Sequence, residues 1–134
     1  MKRILLGIVA MFGLIDVVNA VTPDLTPRLG AWTFYFYQGP GFGMVATKSI
    51  CLQQDHTWAT GPTLPGHGSW AQDGKDINFS GTIGEVIQGV AFSAFGHMLT
   101  KTMITGQYMN FNIVQDPPNG VYGSFRATFT ASTC

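Results

Sequence analysis

From residue 30 onward, apolar and polar side chains alternate almost one for one. In GAWTFYFY (30–37), Trp32, Phe34 and Phe36 fall on one face and Thr33, Tyr35 and Tyr37 on the other. KDINFSGTI (75–83) sets Ile77, Phe79, Gly81 and Ile83 against Asp76, Asn78, Ser80 and Thr82. VYGSFRATFTA (121–131) sets Val121, Gly123, Phe125, Ala127 and Phe129 against Tyr122, Ser124, Arg126, Thr128 and Thr130. Successive side chains of an extended strand point to opposite faces, so these are predicted as half-buried antiparallel strands. Weaker strands are expected at 45–53, 57–60, 68–72, 85–93, 97–103 and 104–114. No stretch carries a convincing helical period.

Turn chemistry supports this spacing. Asp73-Gly74 within QDGK suits the positive φ of a type I′ hairpin turn. DPPNG (116–120) predicts a longer hairpin loop, and QGPGFG (38–43) a glycine-rich loop after the first strand. Short strands joined this way predict an all-β fold, a small antiparallel up-and-down β-barrel of about eight strands, with a sandwich as the alternative. Gly81 and Gly123 inside strands suit the bends of a barrel, and closure removes exposed edges. An outer-membrane barrel fits less well, because it needs strands of about 9–11 residues with a polar interior.

The first twenty residues read differently. Lys2 and Arg3 precede an uncharged apolar stretch, Ile4 to Ile15, and Val18-Asn19-Ala20 ends in a small residue. This is the pattern of a secretory signal peptide, which leaves 21–134 as a single domain in a secreted or periplasmic protein. The apolar run is too short to span a bilayer, which takes about 20 residues. Without Lys2, Arg3 and Asp16, the remainder lies one negative charge from neutrality with His neutral. The whole chain is only 10% charged, against roughly 25% for typical domains. Such a chain lacks the basic footprint of a nucleic-acid binder, and its low charge favours self-association, so a homo-oligomer is one expectation. In an oxidising compartment the two cysteines, Cys51 and Cys134, are expected to form a disulfide, ahead of a reactive or metal-bound thiol.

Gly30-Ala31-Trp32 at the start of the first strand resembles the Gly-x-Trp opening of lipocalin-like and other calycin barrels. Thr105-Gly106-Gln107-Tyr108 and Gly123-Ser124-Phe125-Arg126-Ala127 are similar to the glycine-and-aromatic strands of avidin-like barrels. The resemblance implies an up-and-down barrel whose interior or mouth binds a small apolar ligand or a protein partner. Small periplasmic protease inhibitors have disulfide-stapled barrels of similar size, so an inhibitor or adhesion role is an alternative.

Catalytic chemistry is thinly represented. His56, next to Asp55, reads as a turn residue; His97 reads as a strand-end residue; His67 sits in the flexible segment PGHG (65–68). Three histidines on separate segments, with no H-E-x-x-H or C-x-x-C, give no metal site, and no Gly-x-Ser-x-Gly elbow marks a nucleophile. No cofactor is implied. A secreted enzyme would have to bring His56 or His67 together with Glu85 or an Asp. Ligand contacts are instead expected from His67, Trp32, Trp58, Trp70 and Tyr108, near a mouth formed by the Gln38–Gly43 and Thr60–Gly68 loops. Tyr35, Tyr37 and Tyr122, with Tyr108 as a further member, are the candidates for a surface patch, and Met44, Met98, Met103 and Met109 for either core filling or a cavity lining.

Overall fold

The computed structural model describes residues 23–39, 43–61, 65–84, 90–112 and 119–134; the signal peptide expected over 1–20 lies outside the described residues. Among the described residues, eight strands form a closed, all-antiparallel up-and-down barrel: β1 (Gly30–Gln38), β2 (Met44–Leu52), β3 (Thr57–Thr60), β4 (Gly66–Asp73), β5 (Asp76–Ile83), β6 (Val90–Thr100), β7 (Met103–Asn112) and β8 (Asn119–Ala131). Each strand pairs with its neighbours in sequence, and β8 returns to pair with β1. The main departure from the periodicity is β6. The strands expected at 85–93 and 97–103 are one strand, with the chain reversing at Lys101-Thr102, and residues 85–89 lie outside the description. Gly96 does not end a strand; it stays in the ladder opposite Gly106. His97 is therefore a mid-strand residue. The hairpin turn after β4 is also shifted by one residue. Gly74 and Lys75 occupy its centre between paired Asp73 and Asp76, and only Gly74 has positive φ, at 57°, so it is not the type I′ turn expected at Asp73-Gly74.

The interior is aromatic. Trp32, Phe34 and Phe36 of β1 alternate inward with Ile50 and Leu52, Trp58, Trp70, Ile77 and Phe79, and all are buried. Phe34 stacks on Phe125 at 5.4 Å and meets Phe79 edge-on at 5.5 Å, geometries that suit the ring quadrupoles. Large rings are accommodated by glycines facing them. Gly68 and Gly81 pair across β4–β5, and a Cβ on Gly81 would lie 2.6 Å from the Trp58 ring and 2.2 Å from the His67 carbonyl oxygen. Phe129, expected in the core, is half-buried: it pairs with Trp32 at the end of the barrel, packs edge-on against it, and lies under the Arg28 guanidinium, 4.5 Å from the ring centroid. Met98 is buried and Met103 half-buried, whereas Met44 and Met109 are exposed on the outside. The outward faces carry Thr, Ser, Asn and Gln over much of the barrel, with exposed Phe95, Leu99, Met109, Phe111 and Tyr122 on β6–β8. No helix among the described residues is long and apolar enough to cross a membrane.

The two ends of the barrel differ. The base gathers the tight turns after β2, β4 and β6 with the segment before β1. That segment is tied across the base by backbone and side-chain bonds. The Trp32 indole Nε1 donates to the Arg28 carbonyl at 2.8 Å, the Arg28 amide to the Lys101 carbonyl at 3.2 Å, and the Gln72 amide nitrogen to the Leu25 carbonyl at 3.0 Å. Leu25 packs on the core, and Lys101 pairs with Asp24. In the β2–β3 turn His56 takes φ 64°, a conformation for which His is enriched, and its ring stacks on Trp70 at 4.5 Å. A Cys51–Cys134 disulfide, with Cα atoms 5.6 Å apart, ties β2 to the segment after β8 and fits an oxidising, extracytoplasmic compartment.

Two exposed carboxylates at the base make folding pH-dependent. The hydrogen bond from Lys101 holds the Asp24 carboxyl well below its usual range, and the hydroxyl and amide of Thr57 lower that of Asp55. Carboxyls with lowered folded-state pKa values add stability above the unfolded value near 3.9, and that contribution is lost as pH falls through the folded values. The thermal midpoint is thus expected to decline below about pH 4, and the decline to be shallower in the Asp24→Asn, Asp55→Asn double variant. Identical pH profiles for the two proteins would remove these carboxylates from the acid response.

Candidate functional site: the barrel mouth

At the end opposite the base, the strands are joined by the connections after β1, β3, β5 and β7. The period-2 alternation that fills the core continues here, but with different side chains. Along β1 the inward residues end at Phe36. On β2, Ala46 lies opposite Phe36 and Lys48 opposite Phe34, so both share the inward face of Ile50 and Leu52. A register shift between Phe36 and Tyr37 leaves Val45 without a partner, and this bulge brings Val45 to the rim. On β7 the inward series Ile104, Gly106, Tyr108 ends in Asn110 and Asn112. Ile83, Val90 and Val121 close the ring from β5, β6 and β8. Together they enclose an open cavity of about 400 Å³, within the range of small-molecule sites.

Lys48 is half-buried in this wall, and no described residue forms an ion pair with it. The Asn110 side-chain oxygen is buried and accepts no hydrogen bond from any described residue. Burial raises the pKa of the Tyr108 phenol, so this group stays neutral through the physiological range. The cavity is thus apolar over most of its wall, with one cation and one unfilled acceptor.

A second hollow, a groove of about 600 Å³, lies on the outer face of β6–β8. It is bordered by Phe95, Gln107, Met109 and Tyr122, and Phe95, Met109 and Tyr122 are exposed by 48%, 56% and 68%. Tyr108 borders both hollows. Tyr108 itself is inward and buried, so it does not belong with the outward tyrosines.

The residues expected to contact a ligand are dispersed. Tyr108 borders the mouth cavity. Trp32 is fully buried and bonded toward the base. Trp58 is buried in the wall with its indole N–H shared between the Ser69 and Ser80 carbonyls, each at 3.1 Å. Trp70 is buried beneath His56, and its indole nitrogen has no hydrogen-bond partner among the described residues. His67 is exposed on the outer face of β4, opposite Thr82. The histidines do not converge: His56 lies at the base, His67 on the outer wall, and His97 hydrogen-bonds Asp76 on the outer surface. Glu85 lies outside the described residues. Among the described residues no cluster of His, Cys, Asp and Glu could hold a metal ion.

Lys48, Asn110 and Asn112 are mouth residues that the strand pattern alone did not single out. Their signal was present in the period: Lys48 is two residues from Ile50, and Asn110 and Asn112 are two and four from Tyr108. A polar residue that continues an inward series marks the point where a core gives way to an opening.

The chain matches no protein-family model, and no curated protein or solved structure matches it. The class of protein rests on architecture: an eight-stranded, all-antiparallel closed barrel, consistent with a calycin-like fold.

Proposed function

We propose that this is an exported, non-catalytic binding protein that holds a small, mainly apolar molecule in the barrel mouth. The observation that carries the reading is the cavity of about 400 Å³ at an end otherwise walled by Phe36, Ile83, Val90 and Val121. The aromatic core fills the barrel beneath it, so a ligand would sit at the mouth rather than along the axis. Tyr108 is the one proposed aromatic contact placed there; Trp32, Trp58 and Trp70 would support the wall, and His67 would lie outside the cavity. Native mass spectrometry of the protein purified from its own host tests this. A bound small molecule that is absent from a Val121→Trp variant with the mouth filled is the expected result, and equal loading of both proteins would overturn it.

A protein partner is the second reading, as in an inhibitor or adhesion subunit. It is favoured by the contiguous exposure of Phe95, Met109 and Tyr122 around the outer groove, since exposed apolar patches mark interaction surfaces.

A further inference from the structure

We infer that the mouth selects a small carboxylate whose apolar body also bears an amide N–H or a hydroxyl. This rests on the reading of the mouth as a ligand site and specifies its chemistry. Lysine is cationic at neutral pH, and Lys48 is placed on the inward face of β2, half-buried beside Ala46, with no anion from any described residue. A cation held against apolar surface gives up hydration, and a ligand anion restores its stabilisation. On β7, separated from β2 by β8 and β1, the Asn110 oxygen is buried with no donor from any described residue. Buried acceptors are ordinarily filled, so this atom calls for a donor that the described residues do not supply, and a ligand N–H or hydroxyl meets that need. The two groups are fixed on stiff strands rather than loops, and Val45, Ile83, Val90 and Val121 offer apolar surface beside them. A molecule with an anionic end, a donor and a short alkyl or aromatic body satisfies all three features. A pure hydrocarbon leaves both polar groups unmatched, and a phosphate without an apolar body leaves the walls bare.

Calorimetric titration with N-octanoylglycine, its methyl ester, decanoate and decanol separates these terms. The wild-type protein is expected to bind N-octanoylglycine at least tenfold more tightly than the ester, which lacks the charge, and more tightly than decanoate, which lacks the N–H. Lys48→Met is expected to abolish the acid-over-ester preference, and Lys48→Arg to retain it. Asn110→Ala is expected to erase the advantage over decanoate. Unaltered thermal midpoints report that the variants are folded. Equal affinity for acid and ester, or an acid preference that persists in folded Lys48→Met, overturns the inference. Decanol binding in that case leaves the mouth reading standing, whereas failure of all four probes to bind overturns both.

Discussion

Removing the Cys51–Cys134 disulfide is expected to lower the stability of the barrel by about 4 kcal/mol. The two cysteines are 83 residues apart, so the bond encloses the end of β2 and all of β3 through β8 and excludes many open conformations from the unfolded chain. For a chain of this size, that loss corresponds to a drop in thermal midpoint on the order of 15 °C. It is a large share of the roughly 5–15 kcal/mol by which domains are stable. The comparison is urea unfolding of the native protein with the Cys51→Ser, Cys134→Ser double variant, with the slope of the transition checked for changes in the denatured state. Coincident curves would show that the hydrogen-bonded closure of β1 on β8 suffices without the covalent tie.

Trp58→Ala is expected to cost about 3–5 kcal/mol, comparable to the disulfide. The indole is 1% exposed, packs edge-on against Phe92 at 5.6 Å and lies over Gly68 and Gly81. Those glycines leave no side chain able to collapse into the space, so the cavity term is expected at the upper end of the range. The Ser69 and Ser80 carbonyls also lose their shared indole donor. Trp58→Phe keeps most of the ring and loses the N–H, so its smaller cost isolates the hydrogen-bond part. Urea midpoints for the two variants give the measurement, and a cost below about 1 kcal/mol for the alanine variant would contradict the packing account.

Most of the barrel was legible because its strands alternate strictly. The inward series Trp32, Phe34, Phe36 and Ile77, Phe79 are strong signals, and each corresponds to a buried row in the structure. Reading failed where glycine substitutes for a core residue. Gly96 looked like punctuation before His97, yet it sits inside β6 opposite Gly106, where the Ile104 side chain and the Phe125 ring leave no room for a Cβ. A sequence shows that a residue lacks a side chain; it does not show whether a ring from another strand requires the space. The same limit applies to the mouth. Lys48 interrupts the apolar pattern of β2, and its inward face follows only once Ile50 and Leu52 are anchored by their pairing with Trp32 and Gly30. His67 attracted notice for its flanking glycines, but the closeness of Gly68 to Gly81 serves the Trp58 ring and leaves the imidazole outside.

The pairing of β1 with β8 brings the start and finish of the barrel side by side at the base, with Ala31 opposite Ala131. A chain whose ends are neighbours does not depend on where it is cut. Joining the segment before β1 to the end of β8 with a flexible linker long enough to cross the base, and opening the chain within one of the mouth connections, would give a circular permutant that retains every strand pair. Such a permutant would carry its new termini around the cavity, where a fused reporter would sense occupancy directly.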